Sequence, residues 1–275
     1  MEGGVGEAAR MVVRLAMWSG PRTVSTALMR SFGSRSDAVV CDEPFYAHYL
    51  PHTGLDHPLA AEIRARHETD WRRVVAGLIA PLPAGKTLFY QKHMAHHLLP
   101  HVGREWMGEC AHAFLIRDPE EMLASLLLKL RVVRLEDTGL PQQVELFAVE
   151  RERTGRAPAV LDSRDLVEDP ERHLRALCAA VGIEFQPAML SWAPGSRETD
   201  GCWGECWYGN TLASTGFQPY PRTLGGVPPE CAELLDAMRE LHAGLHAARL
   251  RPPETPCSRS TTNGTATSSS TSTAS

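Results

Sequence analysis

Between Val12 and Thr26 the chain runs from an apolar strand pattern, VVRLAMW, through Ser19-Gly20-Pro21-Arg22-Thr23-Val24 into a helix expected from about Ser25 to Phe32. A strand that turns at once into a helix is the repeating unit of α/β sheets. The rest of the chain repeats it. Ala38–Cys41, Thr87–Gln91, Ala113–Ile116 and Ala159–Leu161 are short apolar strand candidates. Helical periodicity covers Asp70–Ile79 and Pro229–Arg249. Asp118-Pro119-Glu120-Glu121 supplies an N-cap, a first-turn proline and acidic first-turn charge for a helix to about Leu130. Asp169-Pro170-Glu171 opens another, which stops at Gly182. Strands alternating with helices predict a three-layer α/β/α fold with a mostly parallel sheet.

The predicted domain occupies residues 11–250. Residues 1–10 form a small, polar lead-in, and 251–275, ending TTNGTATSSSTSTAS, are too polar to build a core. The Trp-, Gly-, Pro- and Cys-rich stretch 190–224 reads as a long ordered excursion of the same domain. A net charge of -5 without a basic stripe argues against a nucleic-acid surface. No run approaches the ~18 apolar residues of a membrane span, and residues 1–10 lack a signal-peptide pattern. Seven scattered cysteines without close C-x-x-C spacing fit a reducing, cytoplasmic setting.

The segment 19–26 is also the best candidate binding site. Ligands of open α/β sheets sit at the carboxyl ends of strands, where backbone N–H groups and the positive end of a helix favour phosphate. Gly20 permits a tight turn, Arg22 can make charge-assisted bonds to phosphoryl oxygens, and Ser25 and Thr26 can donate hydroxyls. A second near-match to a phosphate loop, Ala80-Pro-Leu-Pro-Ala-Gly-Lys-Thr87, leads into a strand rather than out of one. It has the wrong context to cradle a phosphate.

Gly20-Pro21-Arg22-Thr23-Val24-Ser25-Thr26 resembles the 5'-phosphosulfate loop of sulfotransferases that use 3'-phosphoadenylyl sulfate (PAPS). Val24 stands where that loop usually has glycine, and valine resists positive φ. Arg117 and Ser125, in RDPEEMLAS, are similar to the family's 3'-phosphate site, an arginine at a strand end and a serine eight residues on. Val160–Pro170 with the following helix resembles a third family segment and bears on the fold. The resemblance implies a P-loop-type nucleotide-binding fold and a donor site of Ser19, Gly20, Pro21, Arg22, Thr23, Val24, Ser25, Thr26, Arg117 and Ser125. It implies transfer of a sulfuryl group from PAPS to a hydroxyl or amine of a small molecule, without a metal.

Two candidate bases remain open. Glu43, in Asp42-Glu43-Pro44, is similar to a glutamate base that follows the second strand in some family members. His93, in Gln91-Lys92-His93, is similar to the histidine base of others, and its ordinary pKa suits proton transfer near neutrality. Arg22 is the expected clamp on the leaving group. His93, His97 and His101 are spaced like helical metal ligands, but Pro100 interrupts that helix and no accompanying carboxylate completes a motif. Two other functions stay open: a phosphotransferase or nucleotide hydrolase of the P-loop class, and a nucleotide-binding protein without catalysis.

Overall fold

Strand β1 (Val13–Ser19) leads into α1 (Ser25–Gly33) and β2 (Ala38–Asp42), and α2 (Tyr46–Thr53), α3 (Ala60–Arg66) and α4 (Trp71–Ile79) then precede β3 (Leu88–Met94). Next come β4 (Ala111–Ile116), α5 (Pro119–Leu127), α6 (Leu140–Thr154) and β5 (Ala159–Asp162). The chain continues through α7 (Ser163–Glu168), α8 (Pro170–Ala180), α9 (Gly204–Trp207), α10 (Gly209–Ala213) and α11 (Ala232–Ala247). The computed structural model describes residues 12–55, 57–130, 132–220 and 226–253. The expected lead-in 1–10 and nearly all of the 251–275 tail lie outside the described residues.

The sheet order is β2-β3-β1-β4-β5, and every pairing is parallel. From β1 the chain goes to the edge, returns to β3 on one side of β1, then crosses to β4 on the other. The connections therefore part at the carboxyl end of β1, which is where a crevice opens in folds of this kind.

Side-chain alternation along β1 builds a core on each face. Leu15 and Met17 pack with Leu28, Met29 and Phe32 of α1 and with Leu174 and Leu177 of α8. Ala16 and Trp18 point the other way, toward Val74 and Leu78 of α4, Leu146 and Phe147 of α6, and Leu245 of α11. Trp18 is completely buried. Truncating such an indole to alanine typically costs about 3–5 kcal/mol.

Several elements depart from the sequence expectation, which had no helix at α2, α3 or α7, and two further departures bear on the site. Strand β3 continues through Gln91, Lys92 and His93 to Met94, all within the interior. Polar residues there read as a strand end, but each is satisfied by a tertiary partner; Gln91 Nε2, for example, donates to the Leu78 carbonyl at 2.9 Å. Helix α6 was not anticipated, because its charged stretch ERERT masks the apolar periodicity. It begins after Gly139 at φ 71° and ends at Gly155 at φ 68°. Gln143 of α6 donates to the carbonyls of Trp18 (3.0 Å) and Leu115 (3.1 Å), joining the ends of β1 and β4.

The 190–220 excursion is anchored on the sheet domain. Trp203 and Tyr208 pack against Tyr46, Tyr49 and Leu50 of α2 and Ile63 of α3. Asp200 pairs with Arg30 of α1 at 2.6 Å, both side chains being buried.

Candidate active site

Helix α1 is one of several helices, α2 and α6 among them, that start without a side-chain cap or first-turn acid. Asp70, Asp118, Asp162 and Asp169 cap α4, α5, α7 and α8 by accepting backbone N–H groups. The cap of α1 is Val24, which offers no side-chain hydrogen bond, and its first turn carries no acidic residue. Its first N–H groups thus keep their partial positive charge for something else. Val24 itself sits at φ -82°, ψ 30°, so the feared clash of valine with positive φ does not arise. The left-handed turn falls instead on Arg22, at φ 60°, and a second one on Glu43, at φ 43°. For residues with a Cβ such backbone is unfavourable by about 1–2 kcal/mol each. Both lie just beyond the carboxyl ends of strands, β1 and β2.

The two halves of the expected donor site meet. Arg22 Nε donates to Ser125 Oγ at 2.9 Å, and Arg117 Nη1 donates to the Arg22 carbonyl at 2.5 Å. Burial and then the neighbouring Arg117 guanidinium push the Arg22 pKa below its ordinary value. The two guanidinium groups thus feel each other's charge, which an anion near both would relieve. Arg117 also pairs with Glu121 at 3.3 Å and stacks on the Tyr220 ring at 4.3 Å. Arg164 covers the same ring at 4.8 Å and contacts Glu121.

The remaining loop residues divide by role. Ser25 and Thr26 are largely buried at the start of α1, below the loop. Ser19 is fully buried, and its Oγ donates to the His93 carbonyl at 3.1 Å, so its hydroxyl serves the sheet rather than the loop. Thr23 Oγ1 donates to the Gly20 carbonyl at 3.1 Å, closing the turn around Pro21 and Arg22. Gly20 is required for a reason other than turn freedom. A Cβ there would lie 2.4 Å from the Thr138 carbonyl oxygen, because the 135–139 segment crosses directly over the loop.

On the other side of β1, Glu43 joins a buried cluster. Lys92 Nζ donates to Asp42 Oδ1 at 2.8 Å and to Glu43 Oε1. The Tyr208 hydroxyl donates to Asp42 Oδ2 at 2.7 Å and receives bonds from Lys92 (3.0 Å) and Trp203 Nε1 (2.9 Å). Burial raises the Glu43 pKa, Lys92 opposes that, and Asp42 adds to it; the balance lies above the usual carboxylate value. Burial would lower Lys92, but the two carboxylates outweigh it and the lysine stays cationic. Glu43 Oε1 is thus held, while Oε2 faces His97 Nδ1 at 3.9 Å.

His93 is not placed as a base. It is 1% exposed and stacks on Trp18 at a centroid distance of 4.4 Å, with Phe45 and Trp106 on other sides. Its Nε2 meets Gln91 Oε1 at 3.2 Å. Burial, then His112 and Lys92, push its pKa down to about 3. A strand-end histidine was expected, but β3 runs on and carries this ring into the core. His97 belongs to the turn after β3, so His93, His97 and His101 share no helical face.

A family model described as a sulfotransferase domain matches residues 13–245. The chain belongs to the sulfotransferase domain family. It is 35% identical over 249 residues to the branched-chain-amino-acid aminotransferase-like protein 2 of Arabidopsis thaliana, covering 87% of this chain and 44% of that protein. The like-named protein 1 is 38% identical over 210 residues, covering 75% of this chain and 37% of that protein. The chain thus spans less than half the length of these curated relatives. Among solved structures, the sulfotransferase domain of the Synechococcus PCC 7002 olefin synthase aligns with a TM-score of 0.49 and 16% identity, over 84% of this chain and 96% of that one. A sulfotransferase from Alicyclobacillus acidocaldarius aligns with a TM-score of 0.46 and 15% identity, over 89% and 98%.

In this sulfotransferase domain, side chains outside the expected donor site and the two candidate bases complete the surroundings. Arg164 and Tyr220 flank Arg117, and Lys92 and Tyr208 hold Glu43. Arg164 lies within Val160–Pro170, the segment used only as a fold marker, and nothing local separates it from any exposed arginine. Tyr208 comes from the excursion, 165 residues from Glu43, so only the fold brings the two together. None of the described helices is long and apolar enough to cross a membrane.

Proposed function

We propose that this sulfotransferase domain transfers the sulfuryl group of PAPS to a hydroxyl or amine of a small-molecule acceptor. The observation that carries the reading is the uncapped start of α1 beside two adjacent guanidinium groups, Arg22 and Arg117. The loop 19–26 and the N–H groups of α1 receive the 5' phosphosulfate. Arg117 and Ser125, which contact Arg22 of the loop directly, receive the 3'-phosphate.

Glu43 is the base. Its raised pKa makes the ionised carboxylate a better proton acceptor than an exposed one. Oε2 takes the acceptor's proton as the acceptor oxygen or nitrogen bonds to sulfur. The bond from sulfur to the donor's phosphate oxygen breaks, and the electron pair leaves with the 3',5'-bisphosphate. Arg22 stabilises that developing charge. Lys92, held by Asp42 and Glu43, keeps the carboxylate oriented.

Calorimetric titration of adenosine 3',5'-bisphosphate, beside ADP and ATP with and without Mg²⁺, tests the donor site. The bisphosphate should bind most tightly without metal, and Arg117→Ala should weaken it about 10–100-fold through loss of a charge-assisted bond. Tighter ATP binding that needs Mg²⁺ would replace this reading with a phosphotransferase. Equal affinity for all three would remove the 3'-phosphate site.

A further inference from the structure

Three histidines outside the donor site converge. His48 and His52 lie four residues apart on α2, so they share one face of the helix. His101 reaches them from the turn after β3. One ligand atom from each ring lies within 4.8 Å of the other two. The ring centroids are 4.1 Å (His48–His52), 5.1 Å (His48–His101) and 4.8 Å (His52–His101) apart.

The backbone prepares these rings as ligands. His48 Nδ1 lies 2.8 Å from the Thr69 carbonyl, and His52 Nδ1 lies 2.8 Å from the His48 carbonyl. A carbonyl can only accept, so both Nδ1 atoms carry the proton and both Nε2 atoms present lone pairs. Fixing a histidine by donating its other ring N–H to a backbone carbonyl is how metal-binding imidazoles are oriented. His48 is 3% exposed, and its Nε2 lies 2.8 Å from His101 Nε2. Without a cation one of those facing nitrogens must carry a proton; His101, exposed, can shift its proton to Nδ1.

We propose that His48, His52 and His101 form a three-imidazole site for a divalent first-row cation of the Zn²⁺ class, with solvent as the fourth ligand. Tetrahedral Zn–N bonds of about 2.0–2.1 Å put the nitrogens about 3.3 Å apart. The facing His48 and His101 nitrogens therefore open by about half an ångström, and any pair as far apart as 4.8 Å closes by more. His52 and His101 are both exposed, so their rings can shift by these amounts without displacing the core. Imidazole is a preferred ligand of Zn²⁺, whereas Mg²⁺ and Ca²⁺ prefer oxygen.

The cation ties α2 to the 95–101 segment. Tyr46 of α2 stacks on His97 of that segment and Tyr49 packs against it at a tilt, both at 4.6 Å, and His97 faces Glu43. The site thus braces one wall of the acceptor side and takes no part in the transfer step.

The test titrates the chelator-treated protein with Zn²⁺ and with Co²⁺. One ion per chain is expected, with a Co²⁺ visible spectrum of a tetrahedral site lacking a thiolate charge-transfer band. His52→Ala and His101→Ala, both at exposed positions, should each weaken binding by more than about 100-fold, exceeding a typical outer-shell effect. A Cys202→Ser, Cys206→Ser double variant should bind as the parent does. No bound ion in the parent, unchanged binding in both histidine variants, or a thiolate band abolished by the cysteine variant would each overturn the site.

Discussion

The burial of His93 makes a quantitative demand on acid stability. An unfolded histidine titrates near 6.5, whereas the folded ring resists protonation down to about 3. Between those values the unfolded chain binds the extra proton, so stability falls as the pH falls. From pH 7 to pH 5 the loss assigned to this one ring is about 2 kcal/mol, a roughly 25-fold change in the folding equilibrium. Other buried histidines lose stability over the same range; His96 and His242 are each pushed down to about 4, chiefly by burial. The wild-type total is therefore larger, and only a difference isolates His93. His93→Phe keeps a ring between Trp18 and Phe45 and removes the titration. Urea unfolding at both pH values should show wild type losing about 2 kcal/mol more than the variant. The packing change cancels, because it acts at both pH values. Equal losses would mean that His93 titrates normally in the folded protein, and the histidine would return as a candidate base.

Glu43→Gln should lower turnover on an accepted acceptor by about 10²–10⁴-fold, the usual worth of a positioned base. The same variant should be no less stable at pH 7, because a carboxyl whose pKa is raised by burial opposes folding once ionised, and Lys92 keeps Asp42. A clear loss of stability with full turnover would reverse both assignments. Gly20→Ala places a methyl 2.4 Å from the Thr138 oxygen, so the 135–139 segment or the loop must move. The expected destabilisation is about 1–3 kcal/mol in urea unfolding, with weaker bisphosphate binding; an unchanged midpoint would contradict the close approach.

Much of the fold is legible in the chain because its signals are local. Asp118-Pro119 and Asp169-Pro170 start α5 and α8 where their caps and prolines fall, and the apolar runs mark all five strands. The failures share a cause. Gln91-Lys92-His93 reads as a strand end, because nothing adjacent in sequence announces the Leu78 carbonyl, the Asp42 and Glu43 carboxylates or the Trp18 ring that accept them. In α6, Leu140, Gln143, Leu146, Phe147 and Glu150 are buried, and two of those five are polar. The stripe is therefore too mixed to read as periodicity. The histidine triad had half a signal, His48 and His52 at helical spacing, but His101 is too distant in sequence to be joined to them.

The sequence alone determined the strand–loop–helix of residues 13–33, the arginines and hydroxyls at its turn, and the alternation that makes the sheet parallel. Those follow from backbone preferences and residue chemistry acting within a few positions. Tertiary structure decided which groups are free to act. It left α1 uncapped and set Arg117 against the Arg22 carbonyl. It placed the positive φ on Arg22 rather than Val24, enclosed His93 in aromatic rings, and raised Glu43 by desolvation. Burial and electrostatic coupling depend on neighbours brought from up to 170 residues away, and no window of sequence contains them.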